Sequence, residues 1–145
     1  MIRSVLVVCI GNICRSPAGE RLLAAQLPDF TVESAGLGAL VDHAADADMA
    51  AVAASAGVSL DGHKARQFTP EMAREYDLIL VMEPEHKATI ARQAPQLSGK
   101  VMLFDQWTGG NGIADPYRRS VEFHKSVYEQ IETASLSWAK KLGGF

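Results

Sequence analysis

The chain has 145 residues, 48% of them hydrophobic and 21% charged, with a formal net charge of −3. These values sit near globular averages, and a chain this long buries roughly two-thirds of its unfolded surface. Disorder, collagen and coiled coil are therefore excluded, and one domain spanning 1–145 is expected. No stretch is basic enough for a nucleic-acid or polybasic membrane surface. No apolar run approaches the ~20 residues that cross a bilayer, and Arg3 is not followed by a signal-peptide apolar region, so a cytoplasmic protein is expected, with no nucleic-acid partner and no direct membrane insertion.

Ser4 to Cys9 is a short apolar, β-branched run without helical period, as in a buried strand of a parallel sheet. After a loop containing Gly11 and Asn12, Ser16 suits a helix N-cap and Pro17 a first helical position. That helix should run to about Gln26 with Leu22, Leu23 and Leu27 inward, stopped by Pro28. Phe30 to Ser34 is a second strand candidate, ended by Ala35-Gly36-Leu37-Gly38. Asp46 to Ala56 is alanine-rich and helical, closed by Gly57, and Thr69-Pro70-Glu71 opens a short helix by cap-plus-proline logic.

Asp77 to Met82 predicts another buried strand, Glu85 to Ala94 a helix, and Lys100 to Phe104 a further strand. Past the glycine-rich Thr108 to Gly112 and Asp115-Pro116-Tyr117, a long helix is expected over Ser120 to Leu142. Val121, Tyr128, Ile131, Trp138 and Leu142 would form its buried face. This alternation predicts an α/β fold: a single domain with a central four-stranded parallel sheet, helices on both faces, and an N-terminal phosphate-binding loop. Ligands of such sheets bind at the carboxyl ends of the strands, and Cys9 sits at one of them.

The chain has two cysteines, Cys9 and Cys14, too close together to staple a long loop, so any importance they have is chemical. Cys9-Ile10-Gly11-Asn12-Ile13-Cys14-Arg15-Ser16 is a cysteine, five residues and an arginine between a strand and a helix start. Such a loop can converge its amides on one point, an anion nest backed by the helix's positive end. Gly11 and Asn12 tolerate the left-handed conformations of a tight curl, and Arg15 offers a planar fork for two oxygens of a phosphate. A helix terminus supplies only about 0.3–2 kcal/mol. Most of the stabilisation of a sulfur anion must then come from the amides, Arg15 and a hydroxyl such as that of Ser16.

This loop, followed far downstream by Asp115-Pro116-Tyr117, resembles the low-molecular-weight protein tyrosine phosphatases over essentially the whole chain. The resemblance implies Cys9 as nucleophile, Arg15 as phosphate clamp, Ser16 as the hydroxyl stabilising the thiolate, and Asp115 as general acid. Phosphate and substrate would be held by residues 10–16, namely Ile10, Gly11, Asn12, Ile13, Cys14, Arg15 and Ser16, with Leu40 and Tyr117 as walls. Asn12, Ser16, Ser34 and His63 match a buried polar network that keeps the loop in shape. No metal or cofactor is implied, and His43, His86 and His124 show no ligand spacing with each other or with the cysteines.

Cys14 reads either as a plain loop residue or as a redox partner that traps oxidised Cys9 in a disulfide, and Asp115-Pro116 taken alone is an ordinary turn signal. Arsenate reductases share the fold and loop but relay oxidation along further cysteines that this chain lacks. A non-catalytic phosphate-binding or redox-sensing module is the remaining alternative. Leu40, where the family often has an aromatic, Arg118 after Tyr117, and Gly36 to Val41 resemble the bacterial branch that accompanies tyrosine autokinases of capsule and exopolysaccharide export. That likeness implies a phosphotyrosine protein substrate, in particular an autokinase's tyrosine-rich tail.

Overall fold

The computed structural model describes residues 1–143. Its strands are β1 (Ser4–Cys9), β2 (Thr31–Gly36), β3 (Leu78–Val81) and β4 (Val101–Leu103). The helices are α1 (Arg15–Gln26), α2 (Ala47–Ser55), α3 (Pro70–Ala73), α4 (Pro84–Gln93) and α5 (Val121–Gly143), with a 3-10 segment at Pro95–Lys100. All sheet pairings are parallel and the spatial order is β2-β1-β3-β4. The expected α/β architecture is thus present.

The order explains where the site lies. From β1 the chain crosses to β2 on one side, while β3 and β4 lie on the other, so the switch in winding falls at the carboxyl end of β1. There the neighbouring connections diverge and leave a crevice. The residues after Cys9 fill it.

Alternation along β1 divides the interior into two cores. Val5, Val7 and Cys9 join Leu22, Leu23, Tyr128, Ile131 and Trp138 under α1, α2 and α5. Leu6 and Val8 join Phe68, Tyr76, Ile79, Val81 and Ile90 under α3 and α4. A central strand buried on both faces can take only apolar side chains, which is why this run lacked both polar alternation and helical period. Truncating a fully buried side chain such as Leu6 to alanine costs about 2–5 kcal/mol.

Three expectations need correction. α1 begins at Arg15, with Cys14 as N-cap and no side-chain cap, so Ser16 and Pro17 lie inside the first turn. The Ser16 hydroxyl is spent on Cys9 and Asn12 instead of on a helix amide. β2 continues past Ser34 to Gly36, where an added Cβ would stand 2.3 Å from the Ile10 carbonyl oxygen. Glycine there lets the strand end press against the loop, an approach that looked like a strand terminator. On α5, Val121 is exposed and Leu142 only half-buried. The buried stripe runs through His124, Val127, Tyr128, Ile131, Ala134, Ser135, Trp138 and Ala139. The Asp46 and Thr69 side chains cap α2 and α3 as their residue types suggest, accepting from the amides of Met49 and Met72.

Candidate active site

The loop after β1 is held from outside by its carbonyls. Cys9, Ile10 and Gly11 accept from the amides of Leu37, Gly38 and Leu40 at 2.9, 3.0 and 3.1 Å, and Ile13 accepts from Asp46 at 2.8 Å. His63 Nε2 lies 2.6 Å from the Asn12 carbonyl, which can only accept, so the ring nitrogen donates. With the oxygens turned outward, the amides of Gly11, Asn12, Ile13 and Cys14 donate to no protein acceptor among the described residues. Asn12, Ile13 and Cys14 are buried and Gly11 half-buried; buried amides seldom go unpaired, so this set is a candidate anion nest. Asn12 makes the curl possible at φ 58°, whereas Gly11 is not in the left-handed region, contrary to expectation.

The Asn12 amide orders a chain of hydroxyls. Its Oδ1 accepts from the Arg66 amide at 2.9 Å, which fixes Nδ2 as the donor to Ser16 Oγ at 2.7 Å and to Ser34 Oγ at 3.0 Å. Ser34 in turn donates to Glu20 Oε1 at 2.6 Å. Because Ser16 Oγ already accepts from Asn12, its own proton is free for Cys9 Sγ, 2.9 Å away. The predicted network of Asn12, Ser16, Ser34 and His63 therefore assembles behind the loop, and all four are buried.

Glu20 and Arg66 belong to it as well. Arg66 donates to the Ser34 carbonyl and the Tyr76 hydroxyl, both at 2.9 Å, and Tyr76 donates to Glu33.

Arg15 is 1% exposed. Its Nη1 donates to Glu83 Oε2 at 2.6 Å and to the Ile113 carbonyl at 2.7 Å, while Nη2 stands 3.6 Å from Asp115 Oδ2. A buried guanidinium stripped of such partners would cost about 3–5 kcal/mol. Glu83 also lies 3.4 Å from His86 Nε2. Burial, with the Arg15 charge next, pulls the His86 imidazole below its ordinary value, and Glu83 and Asp115 oppose the shift. Nothing in the local sequence marked Glu83, His86 or Ile113, which reach Arg15 only through the fold.

Above the loop opens a cavity of about 170 Å³ with Cys9, Arg15, Asp115, Leu40 and Tyr117 in its lining, joined by Ile10, Gly11, Ile13 and Cys14. The predicted contact and wall residues thus converge, except Asn12 and Ser16, which sit behind the loop. Leu40 and Tyr117 are 36% and 39% exposed, as befits a rim. The Tyr117 amide donates to Asp115 Oδ1 at 3.0 Å, leaving Oδ2 as the oxygen near Arg15. The Arg118 guanidinium lies 5.2 Å from the Tyr117 ring centroid, against the rim aromatic. Burial raises the Cys14 thiol well above its ordinary range, and Asp46 adds to the effect. A larger cleft of about 580 Å³ between residues 105–113 and α5 includes Asp105, Glu122, Lys125 and Glu129, but no thiol.

Fold and cavity define an α/β protein with a cysteine and a buried arginine lining one cavity at its switch point. The chain belongs to the family described as low molecular weight phosphotyrosine protein phosphatase, whose profile matches residues 4–144. It is 57% identical over 139 residues to the low molecular weight protein-tyrosine-phosphatase Etp of Escherichia coli (strain K12), covering 96% of this chain and 94% of that one. It is 49% identical over 142 residues to Wzb of the same strain, covering 98% and 97%. The crystal structure of the tyrosine phosphatase Wzb from Escherichia coli K30 in complex with sulphate superposes with a TM-score of 0.97 at 53% identity, over 99% of this chain and all of that one.

Proposed function

We propose that this protein hydrolyses phosphotyrosine in protein substrates through a phosphocysteine intermediate on Cys9. The observation that carries the reading is the loop whose carbonyls from Cys9 to Ile13 are bonded to neighbouring segments while its amides from Gly11 to Cys14 have no protein acceptor, in one cavity with the Cys9 sulfur and Arg15. Cys9 attacks phosphorus as the thiolate, in line with the departing aryl oxygen, and the amides and Arg15 bear the phosphoryl charge. Asp115 protonates the leaving oxygen from the opposite side, then deprotonates the water that splits the S–P bond. Ser16 donates to the sulfur when it is expelled, and Asn12, Ser34 and His63 hold the loop.

A sulfur at the base of a nest reaches phosphorus only on a long stem. A tyrosyl ring supplies one, lying between Leu40 and Tyr117, whereas a seryl phosphate is too short. The family resemblance and the named relatives favour a bacterial, cytoplasmic enzyme acting on the tyrosine-rich tail of a membrane tyrosine autokinase. No helix among the described residues is long and apolar enough to cross a membrane.

Arg118 beside Tyr117 would attract acidic or multiply phosphorylated flanks. Under oxidants, Cys14 would trap a Cys9 sulfenic acid as a disulfide. Catalytic efficiency on matched tyrosyl and seryl phosphopeptides tests the reading. Strong preference for the tyrosyl peptide, abolished by Cys9→Ser with phosphate binding retained, supports it. Comparable hydrolysis of phosphoserine, or turnover by Cys9→Ser, overturns it.

A further inference from the structure

Cys14, Asp46 and His124 lie far apart in sequence, yet the fold brings a sulfur, a carboxylate oxygen and an imidazole nitrogen within 4.8 Å of one another. Each is held by its own element. Cys14 is the N-cap of α1. Asp46 caps α2, accepting from the Met49 amide at 3.0 Å, and its own amide donates to the Ile13 carbonyl. His124 is fully buried on α5, and its Nδ1 lies 2.8 Å from the Ser120 carbonyl. A carbonyl only accepts, so Nδ1 carries the hydrogen and Nε2 is the atom turned toward the cluster.

Nε2 has no hydrogen-bond partner although it is buried, and it stands 3.1 Å from Asp46 Oδ2. On a neutral ring this would set a lone pair against a carboxylate. A shared proton or a cation between them would relieve this contact.

We propose that Cys14 Sγ, the Asp46 carboxylate and His124 Nε2 form a binding site for a thiophilic divalent cation of the zinc class. The donors are those zinc takes, with bonds of about 2.0–2.3 Å, so tetrahedral ligand atoms lie about 3.3–3.8 Å apart, a spacing small side-chain adjustments would reach. A thiolate, an imidazole and one carboxylate select against magnesium and calcium, which prefer all-oxygen shells. The Nδ1–H bond to Ser120 is the outer-shell contact that orients a metal-binding imidazole. Binding breaks the Cys14 S–H bond and forms an S–metal bond, and the thiol proton, with any second proton on Nε2, passes to buffer. Cys14 also lines the cavity above the loop, which provides an entry route for the ion and for a water as fourth ligand. The site ties the phosphate loop to α2 and α5, and it stands whether or not the loop turns over phosphate.

Cobalt(II) titration of the full chain carrying Cys9→Ser tests this, because the remaining thiol is then Cys14 alone. The expected result is one cobalt per chain, with a sulfur-to-cobalt charge-transfer band and tetrahedral d–d absorption that stoichiometric zinc abolishes. Adding Cys14→Ser should remove the charge-transfer band, and adding His124→Gln should weaken binding by about tenfold or more. Cys14→Ser keeps the test decisive if the buried His124 variant does not fold. Absence of stoichiometric cobalt binding to the Cys9→Ser chain, or a charge-transfer band that survives Cys14→Ser, would overturn the proposal and leave a metal-free His124–Asp46 contact.

Discussion

Glu83 Oε2 lies 2.6 Å from Arg15 Nη1, joining the start of α4 to the guanidinium that lines the cavity above the loop. The Ile113 carbonyl takes the same nitrogen, so one edge of the guanidinium is occupied by protein. In the proposed reading the arrangement would fix the plane of the fork before a phosphate arrives, and such preorganisation lowers the cost of binding. Glu83 would then be a positioning residue.

Glu83→Gln should keep a hydrogen bond to Arg15 but lose its charge. The Glu83 side chain is 31% exposed, so the stability loss should fall below that of a fully buried pair, at about 1–2 kcal/mol. KM for an aryl phosphate should rise severalfold, with kcat changing less. Steady-state kinetics and thermal melts check this, and an unchanged KM would show that Arg15 holds its orientation without Glu83.

Asn12 combines two tasks that substitutions can separate. Its φ of 58° is costly for a side chain other than asparagine or glycine, and its amide makes three buried or part-buried hydrogen bonds. Asn12→Gly relieves the backbone and loses the amide, whereas Asn12→Ala loses both. Both variants should be destabilised, by about 1–3 kcal/mol for partners left unsatisfied. The alanine variant should be worse by a further ~1 kcal/mol from the left-handed backbone. Denaturant unfolding of the two variants measures the difference. Equal stability would mean that the loop relaxes out of its curl once the side chain is gone.

The parts legible in the sequence are those encoded locally. An apolar β-branched strand, a C-x5-R loop and a helix start adjoin one another, so Cys9, Arg15 and Ser16 could be read directly. Asp115, Leu40 and Tyr117 came through resemblance, and the fold brings them to the same cavity. Glu83, Glu20 and the Cys14–Asp46–His124 cluster meet only after the sheet is wound, and a carboxylate or a histidine on a helix carries no local sign of its partner. Gly36 read as a strand terminator because close backbone approach and chain reversal both call for glycine. Ser16-Pro17 fitted the usual cap signals two residues too late, since the Ser16 hydroxyl is engaged by Cys9 and Asn12 and not by a helix amide.

His86 gives the protein a pH-dependent stability term. Burial and the Arg15 charge lower its pKa from the ordinary 6.5, against the pull of Glu83 and Asp115. A depressed pKa means that, below the ordinary value, the unfolded chain binds a proton the folded chain refuses. The contribution is therefore complete above about pH 6.5 and is lost as pH falls toward the folded value. Thermal melts between neutral and mildly acidic pH should show a steeper fall for the wild type than for His86→Gln. Parallel profiles would assign the acid sensitivity to other groups.

In the proposed reading, the role of Asp115 depends on the leaving group. The Tyr117 amide engages Oδ1 and leaves Oδ2 near the Arg15 guanidinium at the cavity. An asparagine can keep the Oδ1 contact while losing the proton that a carboxyl transfers, so Asp115→Asn should fold normally and bind phosphate as before. A general acid contributes about 10²–10⁴-fold where the leaving oxygen needs a proton. Phenyl and tyrosyl phosphates have basic leaving groups, so their formation of phosphocysteine should slow by about 10²-fold or more. The p-nitrophenolate ion leaves readily without a proton, so the same step with p-nitrophenyl phosphate should slow much less. Single-turnover release of phenol or nitrophenol isolates this step from the later hydrolysis, in which Asp115 would act as base for either substrate. Equal losses on the two substrates would remove Asp115 from the acid role and leave it as an electrostatic neighbour of Arg15.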